Sequence, residues 1–223
     1  MRIFIPNLST LPPAQRTLWP KLSATPNAFT LYGGTALALR LGHRASVDFD
    51  FFSNAPFDPD QLARTVPYLK DAERVQVAPN TLTCRVDCRG PVLVSFFGAL
   101  GLGQVAAHDK AQETGLSVAG LLDIAGTKAA VVQKRAEVKD YLDMDALLRH
   151  GIDLATMLAA GAVVHGRSFN PLISLKALSY FDDVPTLPAE VQARLSKAVA
   201  AVDVTKLPTL TPYAKCADDG LTP

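Results

Sequence analysis

The stretch Tyr32–Phe52, YGGTALALRLGHRASVDFDFF, constrains the fold more than any other part of the chain. It reads as a turn, a short helix, a second turn and a strand. Gly33 and Gly34 follow Phe29-Thr30-Leu31-Tyr32, which reads as a first strand. Two adjacent glycines let the backbone reach positive φ and let an anion approach main-chain N–H groups. The same pair also serves as a plain strand-to-helix turn. Thr35 heads the apolar segment Ala36, Leu37, Ala38, Leu39 and Leu41, which ends at Gly42, and is expected as the N-cap. Free N–H groups at a helix start suit phosphate.

The second half of the stretch alternates. In Val47-Asp48-Phe49-Asp50-Phe51-Phe52, strand parity puts Asp48 and Asp50 on one face and Phe49 and Phe51 on the other. The two carboxylates are then roughly 6.5–7 Å apart along the strand. Set among apolar neighbours, they repel unless a cation offsets them, and Mg²⁺ (or Mn²⁺) takes one or two carboxylates plus phosphate oxygens. Ser46 shares their parity. Phosphate-sized donors followed by a D-x-D strand describe a nucleotide–metal site. His43 reads as a loop or packing histidine, and His108, His150 and His165 stand alone in sequence.

Around this stretch the period-two segments continue. Pro12–Trp19 reads as a short helix ended or kinked by Pro20, and Asp60–Val66 as a helix capped near Asp58. Arg74–Ala78 reads as a strand, and residues 81–97 as a hairpin turning at Arg89-Gly90-Pro91. From Ser117 the period changes to about 3.6. Helices are expected over Ser117–Lys134, Ala136–Arg149, Leu154–Val164, Pro171–Tyr180 and Pro188–Val202. The layout is α/β (α+β): a mixed sheet with flanking helices over residues 1–110, a helical region over 111–206, and a loose, proline-containing tail over 207–223.

Composition narrows the setting. A net charge of +1 gives no overall basicity, so any RNA contact needs a local patch. The three cysteines lack the partners of a zinc site or disulfide framework, which favours a reducing, cytoplasmic environment. The N-terminus, MRIFIPNLSTLPPAQ, matches neither a signal peptide nor a membrane span.

Lys128 lies inside an apolar helical run, Ile124–Val132, either snorkelling to solvent or aimed at an anion. Arg135 follows two helical turns later on the same face. Lys139 and Asp143 are spaced for a surface pair at i, i+4.

The motifs GGTALALRLGHRASVDFDFF, Lys128-Ala129-Ala130 and Arg135…Lys139-Asp140-Tyr141…Asp143 resemble, in this order, those of the AbiEii/AbiGii-type nucleotidyltransferase toxins. That family lies within the DNA polymerase β-like nucleotidyltransferase superfamily, and the resemblance spans about residues 29–149. It implies a nucleotidyltransferase core followed by a helical region, and transfer of a nucleotidyl group from an NTP with release of pyrophosphate. It implies Asp48 and Asp50 as ligands of Mg²⁺ or Mn²⁺, and Gly33, Gly34 and Thr35 as nucleotide-binding residues; Ser46 joins them by its strand parity, or else belongs to a surface loop. Lys128 and Arg135 would stabilise the phosphates, and Asp140 would enter the site as a proton acceptor or further carboxylate. It also implies an acceptor hydroxyl on RNA (tRNA in some members) or on protein, and a cognate antitoxin. A catalytically silent nucleotide-binding member of the superfamily is the alternative. One position departs from the superfamily pattern. The third metal carboxylate is expected on a strand antiparallel to the D-x-D strand, here Val92–Phe97, where Ser95 stands instead; Asp87 and Asp140 are the candidate substitutes.

Overall fold

The computed structural model describes residues 2–217 of the 223. The chain divides into two compact units, Met1–Leu100 with His108–Ala119, and Gly101–Ala107 with Gly120–Pro223.

The first unit is built on one eight-stranded mixed sheet. Its elements are β1 (Ile3–Phe4), α1 (Pro13–Leu18), β2 (Thr30–Tyr32), α2 (Gly33–Leu41), β3 (Phe49–Phe52), α3 (Pro59–Thr65), β4 (Glu73–Ala78), β5 (Thr81–Asp87), β6 (Pro91–Phe97), β7 (Asp109–Ala111) and β8 (Ser117–Val118). The spatial order is β1-β7-β8-β2-β3-β6-β5-β4. Parity holds across the four adjacent strands β2, β3, β6 and β5. Leu31, Phe51, Phe96 and Leu82 sit opposite one another and are fully buried, as are Phe49, Val94 and Cys84 in another row. Trp19, just after α1, stacks on Phe49 with ring centroids 6.4 Å apart, so these rows form the core face.

Local chemistry explains the boundaries. Asp58 accepts hydrogen bonds from the N–H groups of Asp60 and Gln61, with Pro59 at the first helical position, and so starts α3 as expected. Gly42, at φ +66, ends α2 in the left-handed conformation. Arg89 and Gly90 turn the β5–β6 hairpin at positive φ.

Two expectations change here. Ser117–Val118 is strand β8 between β2 and β7, not the first turn of a helix. Such a short apolar segment carries no period, and only pairing with distant strands decides its state. β6 also runs parallel to β3 rather than antiparallel, because the intervening α3, β4 and β5 supply the crossover a parallel pair requires.

The second unit is helical: α4 (Leu121–Val131), α5 (Val138–Arg149), α6 (Leu154–His165), α7 (Pro171–Ala177) and α8 (Ala189–Ala200). α4 and α6 approach closely at glycine. A Cβ on Gly126 would lie 2.7 Å from the Ala160 carbonyl and 2.9 Å from the Gly161 nitrogen. Backbone cannot yield there as a side chain would. Gly126→Ala is therefore expected to destabilise this unit by about 1–3 kcal/mol through overpacking, measured as a lower urea midpoint at unchanged m-value. Asp145, buried on α5, accepts from Arg149 at 3.0 Å and from Arg194 of α8 at 2.6 Å.

The loose tail expected after Lys206 is tied down in part. Tyr213 N donates to the Gln104 carbonyl at 2.8 Å, Gln104 N to the Ala214 carbonyl at 2.8 Å, and Ala217 N to the Gly101 carbonyl at 2.9 Å. The remainder, 218–223, lies outside the described residues. Cys84, Cys88 and Cys216 are free and buried. Among the described residues no single helix is long and apolar enough to cross a membrane; α5 and α6 pass that test only as a pair bent by 116°.

Candidate functional site

The first unit assembles its candidate site at the β2–α2 turn and the entry to β3. Gly33 has φ +72, a conformation that strains any side-chain-bearing residue, and a Cβ there would lie 2.8 Å from Asp50 Oδ2. A Cβ on Gly34 would overlap Arg44 Nη2 and lie 3.4 Å from Ser46 Oγ. The open sides of the two glycines thus face a carboxylate and a guanidinium, both brought there by the strand entry. Gly34→Val is expected to push the flexible Arg44 guanidinium aside and block the approach of phosphate while the fold survives. Calorimetric titration with an NTP tests this, and unchanged affinity in a folded variant removes the turn from the site.

Thr35 differs from its expected role. Tyr32 is the cap residue, and α2 already starts at Gly33, because the glycine turn delivers the chain into helical geometry two residues earlier. Buried Thr35 donates to the Asp48 carbonyl and shares a 2.8 Å hydrogen bond with Ser46 Oγ. It therefore pins the helix start to the D-x-D segment.

Asp48 and Asp50 are half-buried, and Asp50 lies on the sheet face opposite the core. A row of directly opposed residues crosses four strands there: Tyr32, Asp50, Ser95 and Thr83. Ser95 stands beside Asp50, and its hydroxyl accepts from Thr83 Oγ1 at 3.2 Å. Asp87, a candidate for the third carboxylate, pairs with Pro91 at the hairpin end and accepts from Gly90 N at 3.1 Å. It is the last residue of β5, four residues from Thr83 and roughly 13 Å from the Asp50 row, and its side chain is engaged with the hairpin turn.

Two half-exposed carboxylates with hard oxygens suit Mg²⁺ completed by substrate phosphate. Among the described residues no three His, Cys, Asp or Glu side chains gather as a metal-binding group. The donor set present at this turn is the Asp48 and Asp50 carboxylates, a number that fits Mg²⁺.

The later motifs converge within the helical unit. Lys128 does not snorkel; its ammonium is buried, 2.8 Å from Asp140 Oδ1 and 2.5 Å from Asp143 Oδ2. Arg135 donates through Nε to Asp140 Oδ2 at 2.8 Å and through Nη2 to Asp140 Oδ1 at 3.3 Å. Asp140 and Asp143, three apart on α5, are both fully buried. Lys139 pairs with Glu137 at 2.8 Å, replacing the surface pair expected with Asp143. Burial pushes the Asp140 carboxyl up, but hydrogen bonds and charge from Arg135 and Lys128 outweigh it and hold the group below the usual carboxylate range. Such an acid is a poor proton acceptor and a good anchor. The D-x-x-D spacing was the available signal for Asp143. Nothing in sequence signals His108, which sits beside β2 with its ring nitrogens 2.9 Å from Thr30 Oγ1 and 3.2 Å from Tyr32 Oη.

The chain is 34% identical over 160 residues, 70% of this chain and 75% of the relative, to the uncharacterized protein aq_aa25 of Aquifex aeolicus (strain VF5). Its fold resembles that of MenT4, the nucleotidyltransferase toxin Rv2826c of Mycobacterium tuberculosis H37Rv, with a TM-score of 0.58 and 20% identity, covering 86% of this chain and 83% of that one. A putative nucleotidyltransferase from H. pylori matches at a TM-score of 0.49 and 16% identity, over 84% and 90% of the two chains. The sequence profile of the nucleotidyl transferase AbiEii toxin family, type IV toxin–antitoxin system, matches residues 21–208. With the glycine turn, the D-x-D strand and the Lys–Asp–Arg network all inside that span, the chain belongs to the AbiEii family of nucleotidyltransferase toxins.

Proposed function

We propose that the protein is a metal-dependent nucleotidyltransferase that moves a nucleotidyl group from an NTP to a hydroxyl of RNA, tRNA included, or of protein. On this reading it acts in the cytoplasm as a toxin held in check by a cognate antitoxin. The observation that carries the reading is the Gly33-Gly34 turn abutting Asp50, Arg44 and Ser46, with Thr35 locking the turn to Asp48.

Gly33 and Gly34 present main-chain N–H groups to phosphate oxygens, and Arg44 and Ser46 add charge and a hydroxyl beside them. Asp48 and Asp50 are the residues that would hold Mg²⁺ or Mn²⁺, which neutralises triphosphate charge and lowers the pKa of the attacking hydroxyl. Thr35 is a positioning residue. Within the helical unit, Lys128 and Asp140 serve by fixing Arg135, whose side chain is 45% exposed and carries a charge suited to phosphate. A second reading, nucleotide binding without turnover, draws on the uncharged Ser95 standing opposite Asp50 on β6.

The test is incubation with each α-labelled NTP, Mg²⁺ and total RNA or protein extract. Label on RNA or protein, with pyrophosphate released, supports transfer and names the acceptor class. NTP bound without label on either supports the silent reading.

A further inference from the structure

We propose that Phe52 and Phe97 form the platform on which the nucleobase of the NTP stacks. The inference rests on the nucleotide site proposed above and extends it to the part of the substrate that the phosphate-binding residues do not touch.

Phe52 and Phe97 are directly opposed on β3 and β6, one rung beyond Asp50 and Ser95 and on the same sheet face. Rungs two residues apart are separated by roughly 6.5–7 Å, the reach of a ribose. From the approach to β3 into the strand the order is therefore Ser46, Asp48, Asp50, Phe52. A triphosphate tail at the glycine turn leaves the nucleoside at the Phe52 end.

The two rings are half-exposed, whereas Phe49, Phe51 and Phe96 on the opposite face are fully buried. They are also braced. Tyr32 stacks on Phe52 with centroids 4.9 Å apart and planes 14° apart, and Phe97 meets Phe52 edge-to-face at 5.8 Å. Tyr32 is itself buried and held by His108, whose ring meets it at 5.8 Å and 90° and whose Nε2 lies 3.2 Å from its hydroxyl. His108 is in turn held at Nδ1 by Thr30. A histidine bonded at both nitrogens positions Tyr32, and Tyr32 positions Phe52.

A rigid, half-open aromatic pair rimmed by Ser95, Thr83 and Thr81 suits a flat π-system with polar edges better than an aliphatic chain. Base stacking on aromatic side chains tolerates any base, so the platform adds affinity for the nucleoside without selecting among bases.

The experiment compares calorimetric titrations of Mg²⁺-tripolyphosphate and Mg²⁺-NTPs into wild type, Phe52→Leu and Phe97→Leu. Wild type is expected to bind NTPs more tightly than tripolyphosphate. The variants should lose about tenfold in NTP affinity with tripolyphosphate affinity unchanged. Loss of both affinities in parallel, or of neither, in folded variants overturns the platform. If wild type binds tripolyphosphate and NTPs equally, the platform falls and the phosphate site stands. If it binds neither, the proposed function falls with it. Should the variants fail to fold, 2-aminopurine riboside triphosphate tests the wild type directly. Its fluorescence is expected to be quenched on binding, and binding without quenching overturns the proposal.

Discussion

Lys128→Ala is expected to lower the stability of the helical unit by about 3–5 kcal/mol, because removing one partner leaves Asp140 and Asp143 as buried charges short of a cation. A lysine reaching solvent would cost little. The burial of Lys128 reverses that expectation, so a loss of activity in this variant does not by itself mark a residue that contacts substrate. Thermal melting of the helical unit is expected to fall by on the order of 10 °C. An unchanged melting temperature would show that the ion-pair network contributes nothing. Arg135→Ala provides the contrast. Its guanidinium is the most exposed member of the network, and its removal should reduce transfer more than it reduces stability. Acid acts on the same network. The Asp140 carboxyl lies below its usual range when folded, so its contribution is complete above the ordinary carboxylate pKa and is lost as pH falls below that value. Melting in a pH series should show the wild type losing stability at low pH more steeply than Asp140→Asn does.

Asp48→Ala and Asp50→Ala are each expected to reduce metal-dependent transfer by about a thousandfold or more, the loss of one first ligand to an ion that carries the triphosphate charge. Both residues are half-exposed on the entry to β3, and neither packs in the core. Far-UV circular dichroism should therefore be unchanged, while the metal dependence of NTP binding is abolished in calorimetry. Ser95→Ala should be mild by comparison, since its hydroxyl accepts a single long hydrogen bond from Thr83 among the described residues. Labelled product formed at wild-type rate by both aspartate variants would remove the enzyme reading. A dead Ser95→Ala variant with a live Asp48→Ala would shift the reacting centre along the β3–β6 pair.

Periodicity, glycine and proline determined a good deal from sequence alone. The period-two pattern put Phe49 and Phe51 in the core and Asp50 on the other side of the strand, since parity needs no knowledge of neighbours. The hairpin of β5 and β6 and the five later helices were likewise legible, because their signals are local. What depended on distant partners was not. Whether Lys128 snorkels or is buried turns on carboxylates 12 and 15 positions away, across a helix break, that only packing brings to it. The direction of β6, the strand state of Ser117–Val118 and the seat of His108 between Thr30 and Tyr32 are all settled by pairings across long sequence separations. Thr35 shows the same division at short range. A hydroxyl at a helix start looks like a cap from sequence, and the fold turned it instead toward the carbonyl of Asp48, thirteen residues on, where a buried hydroxyl finds the acceptor it needs.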